Sequence, residues 1–284
     1  MAVKYQNPPV IYAVAKLIFS ESIGNYGEDK YKDFLLSVRE LGFDSYTLSK
    51  VQGIQFKQSD NQFSASPSNS ERVGYFSTNR KRCAVINENA LELRLTEYDN
   101  HSSFLDSFCR FVELCKKNEI AIGNSLREVE LHYVDLFVPS EHALQDMFNS
   151  ITMPNNQFYS EKEDMLKVGA IQFTRILSSG RTKVSVNLEQ LKVINSLKRK
   201  LLPDSLIEPD NKLAMPINSE RLFGYHQDND YAIVHTCCSS LVDELEIPKE
   251  KMRDKLEELY RESRKTFDQM INPDVCNKVW NVEN

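Results

Sequence analysis

One histidine–cysteine pair in the sequence has the spacing of two metal ligands. His235 and Cys237 stand two residues apart in an apolar run, and on a β-strand such residues point to the same face. Tetrahedral zinc needs four ligands, and the other late cysteine, Cys276, has no partner motif near it. Free cysteine is among the residue types most often buried. We therefore interpret Cys237 and Cys238 as core residues and expect neither a bound metal nor a cofactor.

Two further groups of residues could take part in acid–base chemistry. His226, Asp228 and Asp230 bring an imidazole and two carboxylates together, which suits general acid–base catalysis or metal binding. The same composition is typical of a polar hairpin turn, and we favour that interpretation. Arg127 and His132 have a spacing found in one class of helical ribonucleases. On a strand, however, an offset of five residues points the two side chains to opposite faces. We therefore predict no catalytic residue.

Two short basic clusters could contact the phosphates of a nucleic acid. Each has only three charges and no interleaved aromatic side chain, as expected for solvated turns or helix ends. The net charge of −6 also disfavours a protein whose main role is to neutralise a phosphate backbone. A nucleic-acid interface would require the two clusters to converge in the folded protein, and its residues would be Arg80, Lys81, Arg82, Lys198, Arg199 and Lys200.

The familiar nucleotide-binding and hydrolase signatures are missing from the sequence. It has no Walker motif, no G-x-G-x-x-G, no H-E-x-x-H and no G-x-S-x-G. Nine glycines in 284 residues also leave little material for a phosphate-cradling loop. A nucleotide-dependent enzyme is therefore disfavoured.

Composition predicts a cytoplasmic protein with a substantial core. Hydrophobic residues make up 41% of the chain, which is enough for a buried core that does not need disulfides or metal ions to fold. The six cysteines are irregularly spaced, as in proteins with reduced thiols. The apolar run over 10–19 is interrupted by Lys16, is shorter than the roughly 20 residues of a membrane span and lacks the cleavage site of a signal peptide. We therefore expect no membrane contact.

Hydrophobic periodicity predicts the elements that must position these residues. Alternating apolar residues indicate strands, and three- and four-residue steps indicate helices. In the first half, the expected order is a strand over 10–20, a helix over 31–41 closed by Gly42, a polar loop over 57–70, an antiparallel meander over 71–98, an amphipathic helix capped by Ser102 or Ser103, and a strand over 126–138.

The second half has the same mixture of strands and helices. Here the pattern predicts a hairpin turning at Ser178-Ser179-Gly180, a helix-compatible segment over 188–202 ended by Pro203, a strand over 231–242, a long amphipathic helix after Pro248, and a short helix begun by Asn272-Pro273.

A repeated tripeptide suggests how the two halves are related. Ser-Glu-Arg occurs at 70–72 and again at 219–221, each time ahead of strands and a long amphipathic helix. Internal duplication and coincidence both explain this match. We expect an α+β fold of two sequential halves, 1–155 and 156–284, each a mainly antiparallel sheet with helices packed on one face.

Three segments together resemble a sporadically distributed family of uncharacterised prokaryotic proteins. They are the Pro-Pro-Val opening strand in 7–20, the strand at 126–139, and the closing helices at 256–280 with their terminal Phe and short link. The middle strand has His132-Tyr133-Val134-Asp135 where the family pattern has Arg-Tyr-x-Asn. The resemblance implies a cytosolic accessory protein of mobile gene neighbourhoods, such as antiviral-defence or toxin–antitoxin loci, and it brings no catalytic residues.

Three functional hypotheses follow, in the order in which we favour them. The first is a non-enzymatic interaction or accessory subunit, a homo-oligomer such as a homodimer or part of a larger assembly, that uses its sheet faces or edges as contact surface. The second is a factor that acts with a nuclease and reaches nucleic acid through a partner or through the six basic residues. The third is a metal-dependent hydrolase or nuclease built on His226, Asp228 and Asp230, or on His132 and Asp135.

Overall fold

The strands lie side by side in a single antiparallel sheet in the computed structural model of the protein. The structure describes residues 8–24, 26–59, 62–121, 125–139, 141–149, 169–192, 199–217, 230–244 and 249–281. Within these ranges the strands are β1 Val10–Phe19, β2 Ser45–Ser59, β3 Gln62–Phe76, β4 Arg82–Ile86, β5 Ala90–Leu95, β6 Leu126–Phe137, β7 Gly169–Ile176, β8 Thr182–Lys192 and β9 Asp230–Glu244. The helices are α1 Gly27–Val38, α2 His101–Lys117, α3 Lys249–Met270 and α4 Pro273–Val279.

The order of the strands corrects the prediction of a separate sheet for each half. That order is β2-β3-β4-β5-β1-β6-β9-β8-β7, and every neighbouring pair is antiparallel. Strand β6 of the first half pairs with β9 of the second, from Leu126 opposite Glu244 to Phe137 opposite Ala232. The α+β class and the antiparallel strands are confirmed, and one sheet serves both halves.

Internal duplication stays a prediction. Glu71 and Arg72 lie inside β3 and not at its start, so the first tripeptide does not mark the beginning of a strand. The second tripeptide, at 219–221, and the expected boundary between the halves at 155 and 156 lie outside the described residues.

The helices pack on one side of the sheet, the helix face. Successive side chains of a strand point to opposite faces, and Ala13, Ala15 and Leu17 of β1 accordingly enter the core under these helices. A second cluster, around Phe137, Phe267 and Trp280, holds α4 and the end of α3 against the sheet. The buried stripe of α2 consists of Phe104, Leu105, Phe108, Cys109, Phe111, Val112, Leu114 and Cys115.

The helix ends follow the expected residue types with one correction. Gly42 has φ of 82° and closes the turn after α1, as predicted. The cap of α2 is Asn100 and not a serine, because the Asn100 side chain accepts a hydrogen bond from the backbone N–H of Ser103 at 2.9 Å. In the described part of the chain, no helix combines the length and the apolar character needed to cross a membrane.

The opposite side of the sheet, the strap face, is crossed by residues 199–217, which we name the strap. At β8 the ammonium group of Lys200 lies 2.6 Å from the Glu189 carboxylate. At the far side Leu213 is fully buried beside Phe76, Cys83 and Val85 of β3 and β4. The strap residues packed on the apolar centre of this face are Leu201, Leu202, Leu206, Met215 and Ile217.

The helix-compatible segment over 188–202 forms no helix in its described residues. Residues 188–192 continue β8, the strap residues 199–202 are not helical, and 193–198 lie outside the description. Leu188 and Leu191 stand at a helical spacing. They nevertheless lie on strand β8, which pairs with β9 as far as Lys192 opposite Asp230. Tertiary pairing therefore decides this segment against its local periodicity.

The polar loop predicted over 57–70 is also corrected, because its described residues belong to strands β2 and β3. These strands pair without interruption from Ser45 opposite Phe76 to Ser59 opposite Gln62. Within the described residues β3 meets β4 only from Val73 onward, so Pro67 lies where β3 has β2 as its single neighbour. Proline is tolerated there because an edge segment has no second ladder to donate to.

Contact between the strap and the sheet can be tested at Gly74. A Cβ atom at this position would lie 2.8 Å from a Leu213 methyl group and 3.2 Å from the Cys83 sulfur. We expect Gly74→Ala to lower the free energy of unfolding by about 1–3 kcal/mol. Leu213→Ala alone should cost about 2–5 kcal/mol. In urea denaturation the double variant should lose less than the sum of the two, and additivity within about 0.5 kcal/mol would contradict the contact.

Candidate functional site

Charged residues gather at one end of the strap face because the strand register brings them together. Lys16 of β1 is directly opposite Glu92 of β5 and Glu130 of β6. Its ammonium nitrogen lies 3.6 Å from the Glu92 carboxylate and 3.9 Å from that of Glu130. We name the whole group the polar cluster, and its members are Lys16, Arg72, Glu92, Arg94, Glu130, His132, Glu208, His235 and Cys237.

A double arginine clamp holds the strap to the sheet. Arg72 donates to both oxygens of Glu208, from Nη1 at 2.5 Å and from Nη2 at 2.9 Å, and Arg94 Nη1 donates to Glu208 Oε2 at 2.6 Å. Arg94 Nε also donates to Glu92 at 2.7 Å. These side chains are nearly buried, with 11% of each arginine and 8% of Glu208 exposed. Planar guanidinium groups suit such two-oxygen contacts, which a lysine could not reproduce.

Burial and charge oppose each other at the two carboxylates of the clamp. Burial alone would raise the pKa of Glu92, but Arg94 and Lys16 outweigh it and lower that pKa to about 2. At Glu208 burial is likewise outweighed, and the hydrogen bonds and charges of Arg72 and Arg94 lower its pKa. Both groups are therefore ionised at neutral pH and hold the arginines in place.

A cavity of about 310 Å³ lies between the strap and the sheet beside this clamp. Its volume is near the lower limit of pockets that hold small molecules. Charged side chains of both signs line it, among them Lys16 and the clamp residues Arg72, Glu92, Arg94 and Glu208. The clamp commits its guanidinium donors to Glu92 and Glu208, so the polar lining of the cavity is largely paired within the protein.

Two buried histidines meet next to the cavity. His132 Nδ1 of β6 lies 3.1 Å from His235 Nε2 of β9, and His132 Nε2 lies 3.1 Å from Glu130 Oε2. The rings are stacked, with centroids 5.3 Å apart. Both side chains are close to fully buried, so their protonation depends on these few neighbours.

The neighbours give the two rings opposite protonation states. Burial disfavours a charged His132, but the Cys237 sulfur and the Glu130 carboxylate outweigh it and raise the pKa of His132 to about 10. Burial, together with the charge of His132, lowers the pKa of His235 to about 3. His132 therefore carries the proton and donates to both Glu130 and the neutral His235 ring.

The expectation that Cys237 and Cys238 are core residues is confirmed for Cys238 and corrected for Cys237. Cys238 is fully buried on the helix face, whereas Cys237 is partly exposed on the strap face. His235 and Cys237 do share a face, as predicted, because both lie in the polar cluster. No three histidine, cysteine or acidic side chains of the described residues are arranged to hold a metal ion.

The residues proposed for a hydrolase site are only partly described. His132 faces the strap, whereas Asp135, three residues later on β6, points to the helix face near Arg264, so these two do not share a site. Asp230 begins β9 and accepts a hydrogen bond from Gln190 at 3.4 Å. His226 and Asp228 lie outside the described residues.

The first basic cluster lies on the turn between β3 and β4, where its side chains contact the protein itself. The Arg80 guanidinium stacks 3.7 Å from the Phe76 ring centroid and donates to the Lys212 carbonyl of the strap at 2.9 Å. Lys81 pairs with Glu97 at 3.0 Å. Arg82 stacks over Phe43, and burial lowers its pKa.

The second basic cluster lies at the other side of the strap face. Lys200 pairs with Glu189 and with Asp204 at 2.9 Å. Arg199 begins the strap, and Lys198 lies outside the described residues. From β4 to β8 there are five strand spacings, or roughly 24 Å. The structure therefore attaches the two clusters to strands far apart in the sheet, and a shared nucleic-acid interface stays a prediction.

A second candidate surface is the outer edge of β7. This strand pairs with β8 along its whole length without a bulge, and no described strand pairs with its other side. Phe173 is 42% exposed and Ile176 is 67% exposed, both unusual for large apolar side chains. The one charged residue of β7, Arg175, is paired with Glu262 of α3 at 2.7 Å.

Sequence reasoning missed most of the polar cluster, although one signal was available. Glu92 and Arg94 alternate with leucines in β5, and Glu130 and His132 alternate with Val129, Leu131 and Tyr133 in β6. Charges at every second position of otherwise apolar strands indicate one polar stripe per strand. The partner Glu208 carries no such signal, because its contact with Arg72 spans 136 residues of chain.

Comparison with known proteins gives no match: no family model matches the chain, and no curated protein does. The resemblance to a family of prokaryotic proteins therefore stays a prediction.

Removing the charge of Glu208 should release the arginine clamp. Glu208→Gln leaves Arg72 and Arg94 nearly buried without their shared counter-charge, which should lower the free energy of unfolding by about 3–5 kcal/mol. The matched control is Glu97→Gln, because its pair with Lys81 is exposed and should contribute about 1 kcal/mol or less. Urea denaturation of both variants measures the difference, and equal losses would show that the clamp does not stabilise the fold.

Asp135 gives stability a distinct dependence on pH. Burial raises the pKa of Asp135 from 3.8 to about 7, although Arg264 opposes this. Its contribution to stability is therefore present at low pH and is lost as pH rises through about 7. Asp135→Asn cannot ionise, so the variant should gain on the native protein by about 1.4 kcal/mol per pH unit between about pH 4 and pH 7. Parallel stability curves in urea denaturation would contradict the raised pKa.

Proposed function

We propose that this protein is a non-enzymatic interaction subunit of a cytoplasmic prokaryotic assembly, and that it forms a homodimer through the outer edge of β7. The observation that carries the proposal is the unprotected state of this edge. A sheet edge presents free N–H and C=O groups to other chains, and natural proteins usually block it with lysines, prolines, bulges or charges. Strand β7 has no lysine, proline, bulge or acidic residue.

The opposite edge of the sheet shows the usual protection. Strand β2 carries Lys50, which is 79% exposed and lies 3.9 Å from Glu71. A second lysine, Lys57, also lies in this strand. A partner strand would have to displace the hydrated charge of Lys50, whereas at β7 the one charged side chain, Arg175, is already paired with Glu262. The contrast favours β7 as the contact edge.

A second copy of the chain is the partner that fits β7 best. Two identical strands that pair across a two-fold axis place each residue near its own copy or near residues close to it. Like charges would then repel, but the single charge of β7 is already neutralised by Glu262. Phe173 and Ile176 would gain apolar contacts across the new pair, which stabilise neighbouring strands.

The setting of such a dimer rests on sequence resemblance alone. We extend the proposal to an accessory role in an antiviral-defence or toxin–antitoxin locus, because the opening strand, the middle strand and the closing helices resemble that family. In this role the sheet would act as a scaffold, and a larger assembly would supply any catalytic activity.

The mass of the protein in solution tests the edge contact. Light scattering after size-exclusion chromatography should give twice the chain mass of 32.8 kDa for the native protein. Phe173→Lys should shift it to the monomer, because a lysine at the contact must lose its hydration. The matched control is Leu36→Lys, since Leu36 is 64% exposed on α1, which contacts β2 and β3 at the opposite end of the sheet from β7, and this variant should stay dimeric. A monomeric native protein, or a dimer that persists in Phe173→Lys, would refute the proposed interface.

A further inference from the structure

Two polar groups that line the cavity between the strap and the sheet have hydrogen-bonding capacity to spare. One is the ammonium group of Lys16, whose distances of 3.6 Å and 3.9 Å to Glu92 and Glu130 are too long for hydrogen bonds. The other is the hydroxyl of Tyr12, a residue that is only 5% exposed. Within the described part of the chain neither group has a hydrogen-bond partner. Buried polar groups are normally hydrogen-bonded, so a ligand is a natural partner for both.

The two groups stand at opposite ends of the cavity floor. Tyr12, Val14 and Lys16 are alternate residues of β1, so they share the strap face, and all three line the cavity. At about 3.3 Å per residue, the Cα atoms of Tyr12 and Lys16 are about 13 Å apart. The apolar lining residues of the strap are Leu206, Ile207 and Pro209. The cavity therefore offers a polar group at each end of its floor and apolar surface between them.

The balance of charge around the cavity favours an anion. In and beside it, the described residues supply four cationic side chains, Lys16, Arg72, Arg94 and the protonated His132, and three carboxylates, Glu92, Glu130 and Glu208. One positive charge is left over, and burying an unbalanced charge is unfavourable. A carboxylate carries the single negative charge that completes the balance. A phosphate monoester carries closer to two at pH 7, and its second charge would face the three carboxylates.

We propose that this cavity binds a small linear monocarboxylate, with its carboxylate at Lys16, its chain over Val14 and a hydroxyl group at Tyr12. Solvent reaches the Lys16 end, because 29% of that side chain is exposed. Two hydrogen bonds of about 2.8 Å each leave about 7–8 Å of the span for the ligand. A chain of about six carbons has this length, because three bonds of an extended chain span about 3.3–3.6 Å. The site is independent of the β7 edge, which lies four strands from β1.

The experiment measures binding to the full-length native protein by titration calorimetry, with 6-hydroxyhexanoate, hexanoate and hexanamide as probes. 6-Hydroxyhexanoate should bind saturably, with one site per chain. Hexanoate lacks the hydroxyl group and should bind about two- to tenfold more weakly, as expected for the loss of one neutral hydrogen bond. Hexanamide has no charge and should bind at least about tenfold more weakly than hexanoate, because hydrogen bonds between charged groups are stronger.

Two variants connect binding to the named groups. Lys16→Met removes the ammonium group and should weaken binding of 6-hydroxyhexanoate at least about tenfold. The matched control is Lys81→Met, because Lys81 pairs with Glu97 and is not among the residues that line the cavity. This control should bind like the native protein. Tyr12→Phe removes only a hydroxyl group and should abolish the preference for 6-hydroxyhexanoate over hexanoate.

Three results would overturn the proposal. They are the absence of saturable binding of 6-hydroxyhexanoate at millimolar concentration, equal affinities for hexanoate and hexanamide, and equal affinities of Lys16→Met and Lys81→Met. Lys16→Met also deprives Glu92 and Glu130 of a nearby cation, so urea denaturation must show that it folds. If it does not, Tyr12→Phe decides, because an undiminished preference for the hydroxy acid would equally refute the site. None of these results depends on whether the protein dimerises.

Discussion

Strand β6 ends at Phe137 and β9 begins only at Asp230, yet the two pair along almost their whole length, with His132 opposite Cys237 near the middle. This long-range pairing joins the six strands of the first half to the three of the second. It also gives helices α1, α2 and α3 one continuous apolar surface to cover. Without it β6 and β9 would both be apolar edges, which natural sheets avoid.

The same pairing determines what the two faces of the sheet can contain. On the helix face the central strands contribute small and branched apolar side chains under the aromatic stripe of α2. On the strap face the register aligns charged residues of neighbouring strands in opposite-sign pairs, such as Lys16 with Glu92. Buried charges are tolerated only when they are paired, and here the strap completes the pairing by bringing Glu208 to Arg72 and Arg94.

The local hydrophobic pattern predicts an element correctly when the element's tertiary contacts favour the same secondary structure. Strands β1 and β6 and helices α2 and α3 have clear apolar patterns, and the structure confirms them. The polar segment 57–70 forms strands because backbone hydrogen bonds to a neighbouring strand do not require apolar side chains. At Leu188, pairing with β9 outweighs a helical spacing. Both corrections come from contacts between strands, which local sequence patterns describe poorly.

The candidate sites are hidden from sequence for a related reason. His235 and Cys237 stand out in the sequence by their spacing, but their partners His132 and Glu130 lie on another strand and become neighbours only through the register. The edge of β7 is equally invisible, because the apolar residues Phe173 and Ile176 look like ordinary core residues until the strand order places them at the margin. In both cases the chemistry depends on which strands are adjacent.

Association through β7 is the central claim, and amide hydrogen exchange across a concentration series tests it most directly. Pairing with a second copy gives hydrogen-bond partners to the outward N–H groups of β7, which slows their exchange. The account predicts that protection of Gly169–Ile176 rises with protein concentration while that of α1, around Leu36, stays constant. Exchange in β7 that is independent of concentration, over a range in which light scattering shows the monomer converting to the dimer, would contradict it.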